Sequence, residues 1–265
     1  MSVTCYLNGR MGNCILELAH LISYATKHGL TYYVPTQALA YRKFRNGDIS
    51  VPFKVESTGE QPKNPFEYHE PNASKGNPSF HHIPKMDNVS FRGYYQSFLY
   101  SKGYREQVLK AFNFPYEYRD IVSISVRRGD CVNSPNFPIA PKCYYQNAIS
   151  YMQQRAHNKF IVHSDDMNWC RAHFKSEEFN GAEFEFSTST NEYDDFCSLI
   201  GCAHNITARS TFSLTAAWIN QNTEKIVCVP TTKFLWWRGQ NLDLLRGFDE
   251  AIQIDFETPT DEWSI

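Results

Sequence analysis

Two adjacent arginines stand where a predicted buried strand ends. Arg127 and Arg128 follow the segment from 121 to 126, which alternates or is wholly buried and is therefore typical of a strand, and they precede Gly129 and Asp130. In open α/β sheets, ligands bind beyond the carboxyl ends of the strands. A guanidinium presents a planar fork of donors that pairs with two phosphate oxygens. The pair therefore predicts a diphosphate site, where fixed cations stabilise the charge that develops as a diphosphate leaves. A solvated surface turn is the alternative.

A pair of acids follows the next predicted strand in this half of the chain. Asp165 and Asp166 come directly after Ser164 and the strand from 160 to 163. Adjacent carboxylates can bind Mg²⁺ beside a nucleotide-sugar diphosphate. They can also accept hydrogen bonds from a base or a ribose, and Ser and Asp are favoured helix caps. The residues by themselves leave these three roles open.

Hydroxyl side chains gather at a later turn between a predicted strand and a helix. The segment reads Ser210-Thr211-Phe212-Ser213. The N-terminus of a helix carries partial positive charge and unpaired N–H groups, and it therefore attracts phosphates. Helix capping would use the same residue types. The segment indicates either a phosphate site or a cap.

A glycine-bearing turn links the first predicted strand to the first helix. It contains Gly9, Arg10, Gly12 and Asn13, and its glycines permit a tight turn with close approach of a ligand. The segment lacks the Gly-x-Gly-x-x-Gly register of a dinucleotide site. A nicotinamide or flavin cofactor is therefore not indicated.

These segments belong to two successive α/β regions. Strand, turn, helix and strand over 3–34 form a βαβ unit, which implies a parallel sheet, and the alternation resumes from 121 to 229. Six prolines between 50 and 87 interrupt any periodicity and predict loops with short edge elements. We expect an α/β fold of two Rossmann-like lobes with a central cleft, residues 1–118 forming the first and 119–265 the second.

Composition excludes some classes of partner. The 26 basic and 28 acidic residues give a formal charge of −2, which provides no global attraction to nucleic acid or to an anionic membrane. Aromatic residues make up 15% of the chain, enough for packed cores and for stacking on sugar faces. No apolar run approaches the about 18 residues that a membrane span requires.

The eight cysteines show no Cys-x-x-Cys pair and no zinc spacing. The N-terminal residues do not have the basic and apolar regions of a signal peptide. We therefore expect a cytoplasmic protein with reduced thiols.

Five segments, taken in order over nearly the whole chain, resemble the glycosyltransferase family 11 α-1,2-fucosyltransferases. They are Gly9-Arg10-Met11-Gly12-Asn13, Phe91-Arg92-Gly93-Tyr94-Tyr95-Gln96-Ser97, Val126-Arg127-Arg128-Gly129-Asp130, Ser164-Asp165-Asp166 with Trp169-Cys170, and Cys202-Ala203-His204-Asn205-Ile206 with Ser210-Thr211-Phe212-Ser213. The sequence departs from the family at Ser125, where His is usual, at Cys14, where Gln is usual, and at Leu214-Thr215, where Trp-Trp is common.

The resemblance implies a GT-B type fold and transfer of L-fucose from GDP-fucose to a sugar acceptor, with inversion and without a metal or another cofactor. The second lobe would hold the donor. The implied donor-site residues are Arg127 and Arg128 near the diphosphate, Asp165 near guanine or ribose, Asp166 beside it, and Ser210, Thr211, Phe212 and Ser213 flanking the phosphates. On the first lobe, Arg10 and Asn13 would line the acceptor side.

The expected catalytic groups are the two arginines, Asn13 and Asp130, the last as one candidate for the general base. Three other interpretations stay open. One is a transferase for another GDP-sugar, and the second is a catalytically silent protein that binds a GDP-sugar or a glycan. The third, a cysteine-dependent hydrolase, would need a Cys–His pair.

Overall fold

The structure is a computed structural model that describes residues 1–35, 42–44, 47–49, 55–71, 79–132, 134, 139–231 and 242–256. The chain divides into two compact units. The first comprises Met1–Phe114 with Asn241–Asp249, and the second comprises Pro115–Gln240 with Glu250–Ile265.

The first unit is built on a parallel sheet. Its elements are β1 (Ser2–Cys5), α1 (Met11–His28), β2 (Thr31–Tyr33), the antiparallel pair β3 (Arg42–Phe44) and β4 (Gly47–Ile49), β5 (Phe66–His69), β6 (Val89–Arg92), a 3₁₀ turn at Phe98–Tyr100 and α2 (Arg105–Phe112). The sheet has the order β2-β1-β6-β5, and every neighbouring pair in it is parallel. The turn after β1 and the turn after β6 therefore lie at the same edge of the sheet.

Helix α1 forms because its apolar residues recur at helical spacing. Ile15, Leu18, Ile22 and Ala25 are all buried. The helix ends at Gly29, which takes a φ of 65° and donates its N–H to the last carbonyls. At its other end the helix begins at Met11, directly after the turn that follows β1.

The second unit has six strands and four helices among its described residues. They are β7 (Arg119–Val126), α3 (Lys142–Gln153), β8 (Lys159–Ser164), α4 (Met167–His173), β9 (Glu183–Phe186), α5 (Glu192–Gly201), β10 (Cys202–Ile206), α6 (Thr211–Ile219), β11 (Val227–Pro230) and β12 (Ala251–Ile254). The sheet order is β12-β11-β10-β7-β8-β9, with every pair parallel. Counted from β7, this is the 3-2-1-4-5-6 order of a Rossmann sheet, whose topological switch lies between β7 and β10.

Two buried tyrosines of α3 fix the strand ends at this switch. Tyr145 donates its hydroxyl to the carbonyl of Ser125 at 3.0 Å. Tyr144 donates to the carbonyl of Thr207 at 2.7 Å. Because both hydroxyls are fully buried, these bonds form away from competing water and hold the carboxyl ends of β7 and β10 to one helix.

The expected α/β class with two Rossmann-like lobes is confirmed. The division into units differs from a single break after residue 118, because it falls after Phe114 and the segment 241–249 returns to the first unit. Phe248 packs its ring 5.1 Å from that of Phe98, and Asp249 pairs with Lys102 at 3.0 Å. These contacts join residues that are distant in sequence, and they explain why the segment 241–249 belongs to the first unit.

The predictions for individual strands were met in part. Strand β5 is a short edge element within the proline-rich region, as predicted, although much of that region lies outside the described residues. Strand β12 lies beyond the alternation predicted from 121 to 229 and was not foreseen.

Within the described part of the chain, no helix combines the length and apolar character needed to cross a bilayer. No disulfide joins any of the eight cysteines.

Candidate active site

Asp165 joins the ends of β7 and β8. Its Oδ1 accepts hydrogen bonds from the backbone N–H of Arg128 at 2.8 Å and of Gly129 at 3.1 Å. The guanidinium of Arg127 donates to the same carboxylate and also to Asp130. The turn after β7 is therefore held by one acid through both backbone and side chain, as charge-assisted hydrogen bonds permit.

Arg128 is the buried cation of this site, with only 4% of its surface exposed. Its Nε donates to Asp166 at 3.3 Å, and its guanidinium carbon lies 3.7 Å from the ring centre of Trp169. Trp169 in turn stacks on His173 at 4.0 Å. The planar guanidinium thus lies on an aromatic face, a geometry that suits arginine and not lysine.

The Nη1 atom of Arg128 is buried and makes no hydrogen bond with the described residues. A buried donor on a charged group without an acceptor is costly, and native structures rarely leave one so. An anionic ligand oxygen at this position would satisfy it.

Asp166 serves as the cap of α4. Its Oδ1 accepts from the N–H of Trp169 at 3.2 Å, while the hydroxyl of Ser164 accepts from the N–H of Asp166 at 3.0 Å. The helix-cap interpretation is therefore confirmed for this residue. Both acids of the pair bind protein donors, and the predicted contact of Asp165 with guanine or ribose stays a prediction.

No group of three or more His, Cys, Asp or Glu side chains among the described residues is placed to hold a metal ion. The paired acids are instead part of the support for the arginines.

The serine-rich turn follows β10, the neighbour of β7. Residues Ile206 and Ile124 lie opposite each other in this pair, so the turn and the arginine pair follow adjacent strand ends. Ser210 caps α6 by accepting from the N–H of Phe212 at 3.2 Å, and the buried hydroxyl of Ser213 accepts from the N–H of Ala208 at 3.1 Å. These hydroxyls bond to their own loop, and the predicted phosphate contact stays a prediction.

The remaining two residues of this segment start α6. Thr211 is the first residue of the helix, and the ring of Phe212 packs edge-on against Phe196 with the centroids 5.2 Å apart. The whole segment therefore lies at a well-supported helix N-terminus beside the arginine turn.

Asp130 lies in a short 3₁₀ turn, with 52% of its side chain exposed, and pairs with Arg127. The structure shows a carboxylate near the arginines, while its role as general base stays a prediction.

On the first unit, Asn13 lies in the first turn of α1 and accepts a hydrogen bond at Oδ1 from the amide of Gln96 at 2.9 Å. Arg10 directly precedes this helix, and its carbonyl accepts from the N–H of Asn13 at 3.0 Å. Gly9 has a φ of 73°, and a Cβ there would come within 2.2 Å of the Asn13 amide. The segments around Asn13 and Gln96, distant in sequence, are brought together here.

Sequence reasoning missed the structural roles of two residues, Trp169 and Glu70. Trp169 was part of a motif, but its stacking on Arg128 is visible only in three dimensions. Glu70 was not singled out at all, because it lies in the proline-rich region without periodicity. It is a buried acid whose carboxylate accepts from the backbone after β6. Its position at the end of an edge strand was the only signal available.

Comparison with known proteins gives a family match over most of the chain. The family described as Glycosyl transferase family 11 matches residues 1–235. The O-antigen biosynthesis glycosyltransferase WbnK of Escherichia coli is 30% identical over 152 residues, 51% of this chain and 48% of that protein. An alpha-1,2-colitosyltransferase of Escherichia coli is 28% identical over 174 residues, 59% of each chain.

A third similar protein is the galactoside alpha-(1,2)-fucosyltransferase 2 of Rattus norvegicus. It is 29% identical over 241 residues, 80% of this chain and 65% of that protein. The match to these three relatives thus spans about half to two thirds of their own lengths.

Proposed function

Because the chain belongs to glycosyl transferase family 11, we propose that it is a fucosyltransferase. It transfers L-fucose from GDP-fucose to a hydroxyl of a sugar acceptor and forms an α-1,2 linkage to galactose or another hexose. The named activity of the rat relative supports both the donor sugar and the linkage. The observation that carries the proposal is the buried guanidinium of Arg128 beyond the end of β7, whose Nη1 has no hydrogen-bond partner among the described residues.

The chemistry requires the bond between C1 of fucose and the β-phosphate oxygen to break while the acceptor oxygen bonds to C1. Both electrons of the broken bond leave with GDP, so negative charge grows on the diphosphate. Arg127 and Arg128 are fixed before the reaction by Asp165, Asp166 and the Trp169 ring. Preorganised cations of this kind stabilise the transition state, in which negative charge grows on the diphosphate, more than they stabilise the ground state.

We infer that attack comes from the face opposite the leaving group and inverts C1. The transition state then resembles an oxocarbenium ion, as in glycoside hydrolysis. The acceptor hydroxyl loses its proton late, with Asn13 orienting the hydroxyl and Asp130 as a candidate base. The arginines supply the positive charge that a metal ion provides in other transferases, and no metal is required.

The proposal is tested by measuring GDP release from GDP-fucose in the presence of EDTA, with lactose, N-acetyllactosamine and a panel of monosaccharides. We expect acceptor-dependent release that EDTA does not reduce. Loss of release on chelation, restored by Mg²⁺, would overturn metal independence. Binding of GDP-fucose without release by any acceptor would instead indicate the silent binder, and failure to bind GDP-fucose would overturn the donor assignment.

The colitosyltransferase relative favours one second candidate, the same reaction with another GDP-sugar. Colitose lacks the 3-hydroxyl of fucose, so the two donors differ by one polar group. A competition experiment with equal GDP-fucose and GDP-colitose separates them by the ratio of kcat/KM. A site that hydrogen-bonds the 3-hydroxyl should prefer fucose strongly, because its polar groups would otherwise be left unpaired.

Replacing Trp169 with leucine should raise the KM for GDP-fucose about threefold to tenfold. The substitution removes the ring on which the Arg128 guanidinium lies, an interaction worth about 0.5–2 kcal/mol. Steady-state kinetics with GDP-fucose varied at saturating acceptor measure the effect. Trp169→Phe retains an aromatic face and serves as the control, with an increase of less than about threefold. Equal effects of the two variants would show that stacking on Arg128 is unimportant.

A further inference from the structure

Glu70 is a buried acid at the carboxyl end of β5, with 4% of its surface exposed. Its backbone N–H continues the ladder with β6 by donating to the carbonyl of Arg92 at 2.7 Å. Its Oε2 accepts hydrogen bonds from the N–H groups of Tyr94 and Tyr95, both at 2.9 Å. One carboxylate oxygen therefore satisfies two successive backbone donors of the turn after β6.

The turn that Glu70 holds has an unfavourable backbone. Gly93 takes a φ of 152°, and a Cβ there would lie 2.4 Å from the Glu70 Cβ. Tyr95 takes a φ of 48°, although it is neither glycine nor asparagine. Residues in such conformations persist only where their surroundings hold them. The carboxylate and the stacking of Tyr95 on His20, with ring centres 4.0 Å apart, supply that support.

The turn leads directly to Gln96, whose amide donates to Oδ1 of Asn13 at 2.9 Å. Asn13 is the residue that the proposed function places against the acceptor. A hydrogen bond to one side of a carboxamide fixes which way its oxygen and nitrogen point. The orientation of Asn13 thus depends on Gln96, and the position of Gln96 depends on the turn.

We propose that Glu70 is a positioning residue for the acceptor: by holding the turn 93–95, its carboxylate fixes Gln96 and, through Gln96, the amide of Asn13. The inference rests on the proposed function, because it assigns the held residue to acceptor binding. Its role is to position the turn, because its Oε2 is engaged by the N–H groups of Tyr94 and Tyr95.

The charge on Glu70 changes in the neutral range. Burial raises its pKa to about 7, partly offset by the hydrogen bonds from the N–H groups of Tyr95 and Tyr94 and by the nearby hydroxyl of Tyr100. Tyr68, Tyr95 and Tyr100 face the carboxyl, and its charge helps to raise their own pKa values. His20, stacked on Tyr95, stays neutral because burial lowers its pKa to about 3.

This titration gives the proposal a pH signature. The ionised carboxylate accepts N–H bonds more strongly than the neutral acid. As the pH rises through about 7, Glu70 loses its proton and the turn is held more firmly. The acceptor kcat/KM should therefore rise with an apparent pKa near 7, whereas the GDP-fucose kcat/KM, which depends on the second unit, should lack this component.

The test compares Glu70→Ala, which removes the acceptor oxygens, with Glu70→Gln, which keeps one oxygen but does not titrate. Glu67→Gln is the matched control, because Glu67 lies on the same strand but is half exposed and pairs with Arg92 at the surface. Lactose is the probe acceptor, or N-acetyllactosamine if it gives the faster release. Hydrogen–deuterium exchange over 93–96 reports on the turn independently of activity.

We expect Glu70→Ala to raise the acceptor KM about tenfold, as loss of a charged hydrogen bond implies, and to leave the GDP-fucose KM within about twofold. Exchange at Tyr94 and Tyr95 should accelerate. Glu70→Gln should lose the rise near pH 7 and match the wild type only below about pH 6, where Glu70 is also neutral. Glu67→Gln should behave as the wild type throughout.

Equal changes in both KM values for Glu70→Ala, or a rise near pH 7 that persists in Glu70→Gln, would overturn the proposal. Unchanged exchange at Tyr94 and Tyr95 would overturn it whether or not the protein transfers fucose. If the wild type releases no GDP with any acceptor, the proposed function fails, while the exchange data still decide whether Glu70 holds the turn.

Discussion

Replacing Arg128 with alanine should lower acceptor-dependent GDP release from GDP-fucose at least about a hundredfold, mainly in kcat. Removing one preorganised donor to a developing anion typically costs a factor of about 10² to 10³. Arg128 meets the conditions for a large effect, because it is 4% exposed, held by Asp166 and Trp169, and has Nη1 unpaired among the described residues. Initial rates with both substrates saturating measure the loss.

Two further variants make this result specific. Arg128→Lys keeps the charge but loses the planar fork, and we expect it to recover only about a tenth of the wild-type rate. Arg119→Ala removes an arginine at the opposite end of the same strand, where it pairs with Glu185 and is 39% exposed. This control should retain activity within about twofold. A folded Arg128→Ala protein that keeps a third of the activity would contradict the proposed role.

Much of this end of the second unit could be predicted from the sequence. The segment from 121 to 126 contains four Ile or Val residues and two serines, a composition that predicts a buried strand. The charged residues that follow it then lie at the carboxyl end of that strand. Adjacent β-α-β strands commonly pair, which makes β8 the neighbour of β7. In that pairing Val126 lies opposite Ser164, and Asp165 therefore comes beside Arg127. The topology by itself accounts for their proximity.

The roles of individual side chains could not be predicted in the same way. Asp165 and Asp166 were candidates for a metal, a nucleotide contact or a cap, and all three uses require the same residue types. Only the geometry separates them, since Asp166 caps α4 and Asp165 accepts from the turn after β7. Ser213 illustrates the same limit, because its hydroxyl is buried and bonds to the backbone of Ala208.

Long-range packing was also beyond the sequence patterns. The return of 241–249 to the first unit depends on single contacts such as Phe248 with Phe98. The role of Glu70 could not be predicted for a similar reason, because its hydrogen-bond partners are backbone groups 24 and 25 residues later in the chain. Periodicity identifies the buried faces of helices and strands. A buried acid that holds a turn lies outside both kinds of face, so periodicity does not predict it.

The contacts of Asp165 with the turn that follows β7 predict a second large effect. Asp165→Ala should lower the kcat/KM for GDP-fucose about tenfold to a hundredfold, although Asp165 lies on a different strand end from the arginines. The substitution leaves the N–H groups of Arg128 and Gly129 without their acceptor and removes a partner of Arg127. Losing charge-assisted bonds of this kind typically costs about 1.5–3 kcal/mol each. Kinetics with GDP-fucose varied measure the change.

Comparison with neighbouring variants shows which bonds of Asp165 matter. Asp130 also pairs with Arg127, so if that pairing were the whole effect, Asp130→Asn and Asp165→Asn would slow the donor step equally. We expect the Asp165 variant to be slower, because this carboxylate also accepts from the backbone N–H groups of Arg128 and Gly129. Gly129→Ala should act in the same direction without changing any charge, since its Cβ would lie 2.5 Å from Oδ2 of Asp165 and displace it. Normal activity in Gly129→Ala would show that the position of this carboxylate does not govern the arginines.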